Sequence, residues 1–231
     1  MYNLYSKLLA YGNKYPLNIY TDPSKTLQYL EEYDDFWHQY NPEKDIKRYG
    51  LSLINHTGLL KDGEDLDSLK GEVEVNEVQE TSFNIPTPAY GIVKDTLDIF
   101  EGCLVRTHFL KLSPSGYFPD HIDNQKDTID SFRLLVPIQN CNPPHGWFMS
   151  GEEVLHWEHG QMYFLNTCMR HTLFNASTNK DMIMLVLNVK LNKKSINKVF
   201  LEYDVKFFSV PSTIFFASLY GVRTKKKGSI L

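Results

Sequence analysis

Two short stretches of this 231-residue chain carry side chains whose types and spacing suit metal chemistry: His121-Ile122-Asp123 and, 50 positions beyond the first histidine, His171. On a β-strand, residues i and i+2 leave the same face, so an extended backbone presents an imidazole nitrogen and a carboxylate oxygen together. A second histidine from another strand completes two imidazoles and one carboxylate. That set covers one face of an octahedral ion and leaves the opposite face open, as in non-haem Fe(II) oxygenases, where a bidentate co-substrate and O2 are accommodated. Zinc fits less well, because its catalytic sites want a fourth ligand and lack room for a chelating acid and a gas. The tripeptide H-x-D is common, so its weight comes from what surrounds it.

The flanking residues read as the strands needed to position such a set. Arg106-Thr-His-Phe-Leu-Lys-Leu-Ser-Pro-Ser-Gly116 is a strand and a glycine turn that deliver Tyr117 to Asp123 as the next strand. Gly160-Gln-Met-Tyr-Phe-Leu-Asn-Thr167 is a turn and an apolar strand ahead of the distal histidine, and His171 itself opens HTLFNAS. From residue 102 onward, apolar runs at 104–112, 132–138, 147–150, 154–157, 162–166, 172–175 and 182–191 alternate with Gly, Pro, Asn and Asp. Such close, even spacing predicts an all-β sandwich or barrel, and within that class the jelly roll, cupins included, has an interior large enough for a small ligand.

The first hundred residues have a different texture. Asp22-Pro23-Ser24 predicts a helix start with Ser24 as cap, and Leu27, Leu30, Tyr33, Phe36 and Trp37 recur at helical spacing to about residue 40. RYGLSLIN, Arg48 to Asn55, reads as a strand; 56–85 reads as loop; Tyr90 to Phe100 reads as a second helix. The helices are expected on the outside of one sheet. The tail from Val199 to Ala217 reads as strand-like. One domain of 1–231 is expected, with a helical and loop elaboration over 1–101, a core over 102–191 and an extension over 192–231.

The runs RTHFLKLSPSGYFPDHID, SFRLLVPIQ and HGQMYFLNTCMRHTLFNAS together resemble the 2-oxoglutarate- and Fe(II)-dependent oxygenases of the aspartyl/asparaginyl β-hydroxylase-like group, including its small phage and bacterial members. The resemblance covers about residues 102 to 190, and more loosely RYGLSLIN and Asp65 to Leu69. It implies a mainly β protein with flanking helices, built on a double-stranded β-helix (a cupin-like jelly roll). It implies His121, Asp123 and His171 as ligands of Fe(II), 2-oxoglutarate as co-substrate, and Asn175 on the strand of the distal histidine as part of the co-substrate site. The implied reaction consumes O2, decarboxylates 2-oxoglutarate to succinate and hydroxylates an unactivated C–H bond of an amino acid, a peptidyl Asp or Asn, or a small metabolite. One position departs from the pattern. Family members place an arginine about ten residues beyond the distal histidine to receive the co-substrate carboxylate, and this chain has Asp181 there. A carboxylate cannot receive another without a bridging cation or proton. Arg133 in FRLLVPI is the expected replacement, since a guanidinium grips a carboxylate in a planar, bidentate way; a sheet-edge salt bridge is the plain alternative for it. Lys180 is the weaker candidate, held by a turn at the barrel rim.

Composition bounds the partners. Lys and Arg number 24 against 28 Asp and Glu, a net charge of -4, which argues against an autonomous nucleic-acid binder. Lys225-Lys226-Lys227 reads as a solvated basic end. Cys103, Cys141 and Cys168 are an odd set without a C-x-x-C pair, which fits reduced thiols and a cytoplasmic setting. No signal peptide or membrane span is expected, and the most apolar stretch, Phe207 to Val222, is broken by Pro211. His156 and His159 read as rim residues, His108 as a core residue or an inward neighbour of the metal, and His145 as part of a loop over the mouth. Trp147, Phe148 and Tyr163 read as core. Two other readings stand beside the oxygenase. One is a cupin-type binding protein or isomerase, disfavoured because the close pair is His and Asp rather than two His. The other is a catalytically silent relative, favoured by Asp181.

Overall fold

Apolar side chains alternate on both faces of the longest strands, which requires a covering layer on each side. The computed structural model describes residues 2–40, 44–62, 83–123 and 129–203. Its N-terminal part contributes α1 (Tyr2–Leu8), β1 (Lys14–Tyr20), α2 (Pro23–Leu30), β2 (His38–Gln39), β3 (Arg48–Asn55), β4 (Ile85–Pro86) and α3 (Lys94–Asp98). The core strands are β5 (Leu104–Leu112), β6 (Tyr117–His121), β7 (Ser131–Gln139), β8 (Gly146–Ser150), β9 (Glu153–Val154), β10 (Gln161–Leu165), β11 (His171–Asn175) and β12 (Met182–Lys190), followed by α4 (Lys193–Leu201). An eight-stranded antiparallel sheet runs β1-β10-β7-β12-β5-β3-β2, with β4 paired to β3, and faces a four-stranded sheet, β6-β11-β8-β9. From β5 to β12 the chain passes back and forth between the two sheets, with only the hairpin β8-β9 keeping two consecutive strands in one of them, the winding of a double-stranded β-helix.

β12 shows how the layers are held. Ile183, Leu185, Leu187 and Val189 join the outer core with Tyr5 and Leu8 of α1, Leu30 of α2 and Ile196 and Val199 of α4. Met182, Met184 and Val186 point the other way, into a second core with Phe148 and Leu173 of the small sheet. Burial of these side chains, worth about 1.5–3 kcal/mol each, fixes the strand against slippage on both faces.

The N-terminal elaboration is more β-rich than its sequence texture suggests. β1 adds to β10 and β3 adds to β5, so strands from outside the core extend both edges of the large sheet. KYPLNIY carries Pro16, which an edge strand tolerates, and its buried Tyr15, Leu17 and Ile19 alternate as a half-buried strand must. The expected helix to residue 40 is shorter: α2 ends at Leu30 and a 3-10 segment, Glu31–Phe36, carries the chain on. Its cap is Asp22, not Ser24, because the Asp22 carboxylate accepts from the N–H of Ser24 and of Lys25 while Pro23 takes the first helical position. The second helix is a 3-10 turn, Pro88–Val93, running into α3. The strand expected at 154–157 shrinks to the short β9.

The C-terminal region also differs. Residues 193–201 are helical where a strand was expected to begin at Val199, because Asn192 and Ser195 close a reciprocal capping box at the helix start. Tyr203 then bridges to Leu17. The rest of the strand-like tail, the basic run and Asp65 to Leu69 lie outside the described residues. The three cysteines are free thiols, and among the described residues no helix is long and apolar enough to cross a membrane.

Candidate metal centre

The turn between β5 and β6 starts the construction of the site. Ser115 takes a positive φ of 65°, and the Gly116 N–H donates to Ser113 O at 2.7 Å. Gly116 is pressed so closely on the chain that an added Cβ would lie 2.7 Å from both Lys47 O and Ser113 O. β6 leaves this turn and pairs with β11 so that His121 stands directly across from His171, their ring centroids 4.1 Å apart.

Asp123 lies beyond the end of β6, in the bend that follows. Its backbone N–H donates to Thr167 O at 2.9 Å, which ties the bend to the segment before β11. Thus the carboxylate returns to the histidines even though strand pairing has stopped. His121 Nε2 is 3.7 Å from Asp123 Oδ1, and ligand atoms of His121, Asp123 and His171 all lie within 4.8 Å of one another.

Both imidazoles are oriented by a backbone carbonyl two residues earlier in the chain, in β6 for His121 and in the turn before β11 for His171. His121 Nδ1 donates to Pro119 O at 2.7 Å and His171 Nδ1 to Met169 O at 2.9 Å. In the neutral form each Nδ1 then carries the proton, and each Nε2 presents its lone pair inward. The ring of Phe148 lies nearly parallel to His171, at 12° and 6.0 Å. Asp123 is held from the other side by Arg133, whose Nε is 3.2 Å from Oδ2. Burial would raise the Asp123 carboxyl, but the opposing charges, led by Arg133 and followed by His171, His121 and Arg106, hold it below the usual carboxylate value. Burial also leads the shift of His171, which is lowered from its usual value and so favours the neutral imidazole that a metal requires. Two imidazole lone pairs and one ionised carboxylate oxygen fit a divalent transition metal in chemistry and in number.

The three residues open onto a cavity of about 210 Å³ between the sheets. Leu110, Leu135, Phe148, Leu173, Met184 and Val186 make its apolar walls. Its charged and polar lining includes Arg48, Arg106, His108, Arg133 and Thr167. The Thr167 hydroxyl is buried and has no hydrogen-bond partner among the described residues.

His121, Asp123, His171 and Arg133 therefore lie together around the cavity, while Asn175 and Lys180 stand apart from its lining. Asn175 is fully buried, with its amide engaged elsewhere: Nδ2 donates to Leu112 O and Lys180 O, each at 2.8 Å, and Oδ1 accepts from the Ser177 N–H at 3.0 Å. Lys180 is exposed on that turn. Asp181 shares a groove with Lys111, Trp37 and Ile183 on the helix-covered side of the large sheet, so its carboxylate does not confront a ligand in the cavity. His159 is half-buried, its Nε2 accepting from the Cys141 N–H at 3.2 Å; His156 is exposed. Arg48 was missed at the sequence level because it heads an otherwise ordinary strand, RYGLSLIN, far from the motif. Arg106 and His108 carried a signal, their i, i+2 spacing on β5 placing both on the inner face.

No family model and no curated protein matches the chain. Among solved structures it is similar to a prolyl-4-hydroxylase of Pseudomonas putida, at 12% identity over 83% of this chain and 100% of that one, with a TM-score of 0.44. It is similar to a viral collagen prolyl hydroxylase of Paramecium bursaria Chlorella virus-1, crystallised as a 2OG complex, at 8% identity over 78% and 97% of the two chains, TM-score 0.43. An oxidoreductase of the 2OG-Fe(II) oxygenase family from Burkholderia pseudomallei matches at 10% identity over 71% of this chain and 79% of that one, TM-score 0.43.

Proposed function

We propose that this protein is an Fe(II)- and 2-oxoglutarate-dependent dioxygenase that hydroxylates an unactivated C–H bond of an amino acid, a peptidyl Asp or Asn, or a small metabolite. The observation that carries the reading is the convergence of His121, Asp123 and His171, with both Nδ1 atoms committed to backbone carbonyls, on a cavity lined by three arginines. The resemblance of the surrounding strands supplies the choice of co-substrate. Bound to these three residues, Fe(II) with 2-oxoglutarate and O2 supplies the oxidising chemistry, in which the co-substrate leaves as succinate and CO2 and a hydroxyl is placed on the substrate carbon.

The chain's own residues supply geometry and charge. Pro119 O and Met169 O fix the tautomers and ring planes of the two histidines. Arg133 occupies Oδ2 of Asp123, which presents Oδ1 to the side of His121. The apolar walls keep bulk water from the reacting centre, and the cationic lining favours an acid as ligand. Asp181, the residue that favoured a catalytically silent relative, lies on the other side of the large sheet, so its charge stays out of the cavity, although the arginine it replaces is still missing from β12. A cupin-type isomerase remains the less suitable reading, because the close ligand pair is a histidine and a carboxylate.

Anaerobic titration with Fe(II) and 2-oxoglutarate tests the proposal. The chelate is expected to give a weak visible charge-transfer band that is lost in His171→Ala, and admission of O2 is expected to yield succinate. Absence of the band with the wild-type protein sinks the oxygenase reading.

A further inference from the structure

A 2-oxo diacid held at the metal needs a partner for its far carboxylate, and β12 supplies none. The inward residues of β12 that line the cavity are Met184 and Val186, and Met182 before them is also inward and apolar. The register of the large sheet shows what stands beside them. Met182 pairs with Leu112 of β5, and Leu112 pairs on its other side with Arg48 of β3. Arg48 therefore lies in the same cross-strand row as the start of β12, on a strand that comes from outside the core.

Arg48 is only 6% exposed and lines the cavity. Its guanidinium is packed on two rings, with Cζ 4.2 Å from the Tyr40 centroid and 4.6 Å from that of Phe118. Phe118 meets His121 edge-on, the ring centroids 4.4 Å apart. A single aromatic ring thus separates the guanidinium from a metal ligand, which gives one wall to a ligand reaching from one to the other. Stacking engages the face of a guanidinium, whereas a carboxylate is bound by its edge, so the two interactions are compatible. Arg133 is at the metal end of the cavity, engaged with Asp123.

We propose that Arg48 anchors the distal carboxylate of the 2-oxo acid, so that the anchoring cation has moved from the core strand β12 to the added strand β3, while Arg133 positions Asp123. This inference rests on the function proposed above. Its test compares binding of 2-oxoglutarate with that of 2-oxobutanoate, which has the same chelating end and no distal carboxylate, by anaerobic titration calorimetry and by the charge-transfer band of the Fe(II) protein. Wild-type protein is expected to prefer 2-oxoglutarate by about 10- to 100-fold, the range of a charge-assisted hydrogen-bonded pair. Arg48→Met is expected to bring that ratio close to one without changing the affinity for 2-oxobutanoate, and Arg48→Lys to recover part of it. Arg133→Ala is expected to weaken both acids alike through the metal site. If wild-type protein binds neither acid, the oxygenase reading falls and this inference with it. If it binds 2-oxoglutarate and Arg48→Met keeps the preference, or Arg133→Ala alone abolishes it, the anchor is not Arg48 and the oxygenase reading stands. A wild-type ratio near one overturns the assignment without recourse to any variant.

Discussion

Arg133 and Asp123 show how one contact can serve both stability and chemistry. The carboxylate is largely buried, and the guanidinium on Oδ2 offsets much of what its burial costs. Removing the cation leaves a buried charge facing two imidazoles. Arg133→Ala is therefore expected to weaken Fe(II) binding by about 10- to 100-fold, as loss of a partner that orients a metal ligand does elsewhere; isothermal titration of the variant under anaerobic conditions measures this, and unchanged affinity would mean that Arg133 does not orient Asp123. His159 allows a separate prediction at this scale. Burial lowers it from its usual value of 6.5, and its Nε2 must stay unprotonated to accept from Cys141. The folded state therefore binds fewer protons here than the unfolded chain, so its contribution is fully present above pH 6.5 and is lost as pH falls through the folded-state value. Urea midpoints measured between neutral and mildly acidic pH are expected to fall, and to fall less steeply in His159→Asn; an identical slope in the variant would exclude His159 as a source.

Elements differ in whether they can be altered without touching the site. Gly116 lies in the turn that sets β6 against β11, and a side chain there meets backbone oxygens of Lys47 and Ser113 that have no room to yield. Gly116→Ala is expected to destabilise the fold by about 1–3 kcal/mol and to weaken metal binding as well, because His121 lies on the displaced strand. Asn192 caps a helix on the far side of the large sheet. Asn192→Ala is expected to cost about 1 kcal/mol by thermal unfolding and to leave Fe(II) affinity unchanged. If both variants change metal binding equally, the turn has no special role in placing His121. The strands that flank the core, β1 and β3, have a similar division of labour. β1 closes one edge with the alternation of Tyr15, Leu17 and Ile19, whereas β3 extends the sheet at the other end, inside β2 and β4, and delivers Arg48 to the cavity.

For the molecule as a whole, the metal site joins two sheets that also meet through side-chain packing and the Asn175–Leu112 hydrogen bond. Asp123 is tied to Arg133 of the large sheet, while His121 and His171 belong to the small one. A divalent ion bound only by the folded state is expected to raise the unfolding midpoint in proportion to the logarithm of its concentration, about 2.7 kcal/mol at 100 times the dissociation constant. Anaerobic thermal scans with and without Fe(II) test this, and a midpoint indifferent to the ion would show that the three ligands do not converge in solution. Several features were determined by the sequence alone: the two-sided burial of strands such as MIMLVLNVK, the glycine turn before Tyr117, and the H-x-D and distal histidine with the strands around them. These are local, since residue type and period act over a few neighbours. The tertiary structure alone decided the orientation of Asp181, which faces the helices, the commitment of Asn175 to backbone partners, and the arrival of Arg48 beside β12. Each of these depends on which strands become neighbours and in what register, and hydrogen-bond pairing between residues more than 50 positions apart leaves no periodic trace in either segment.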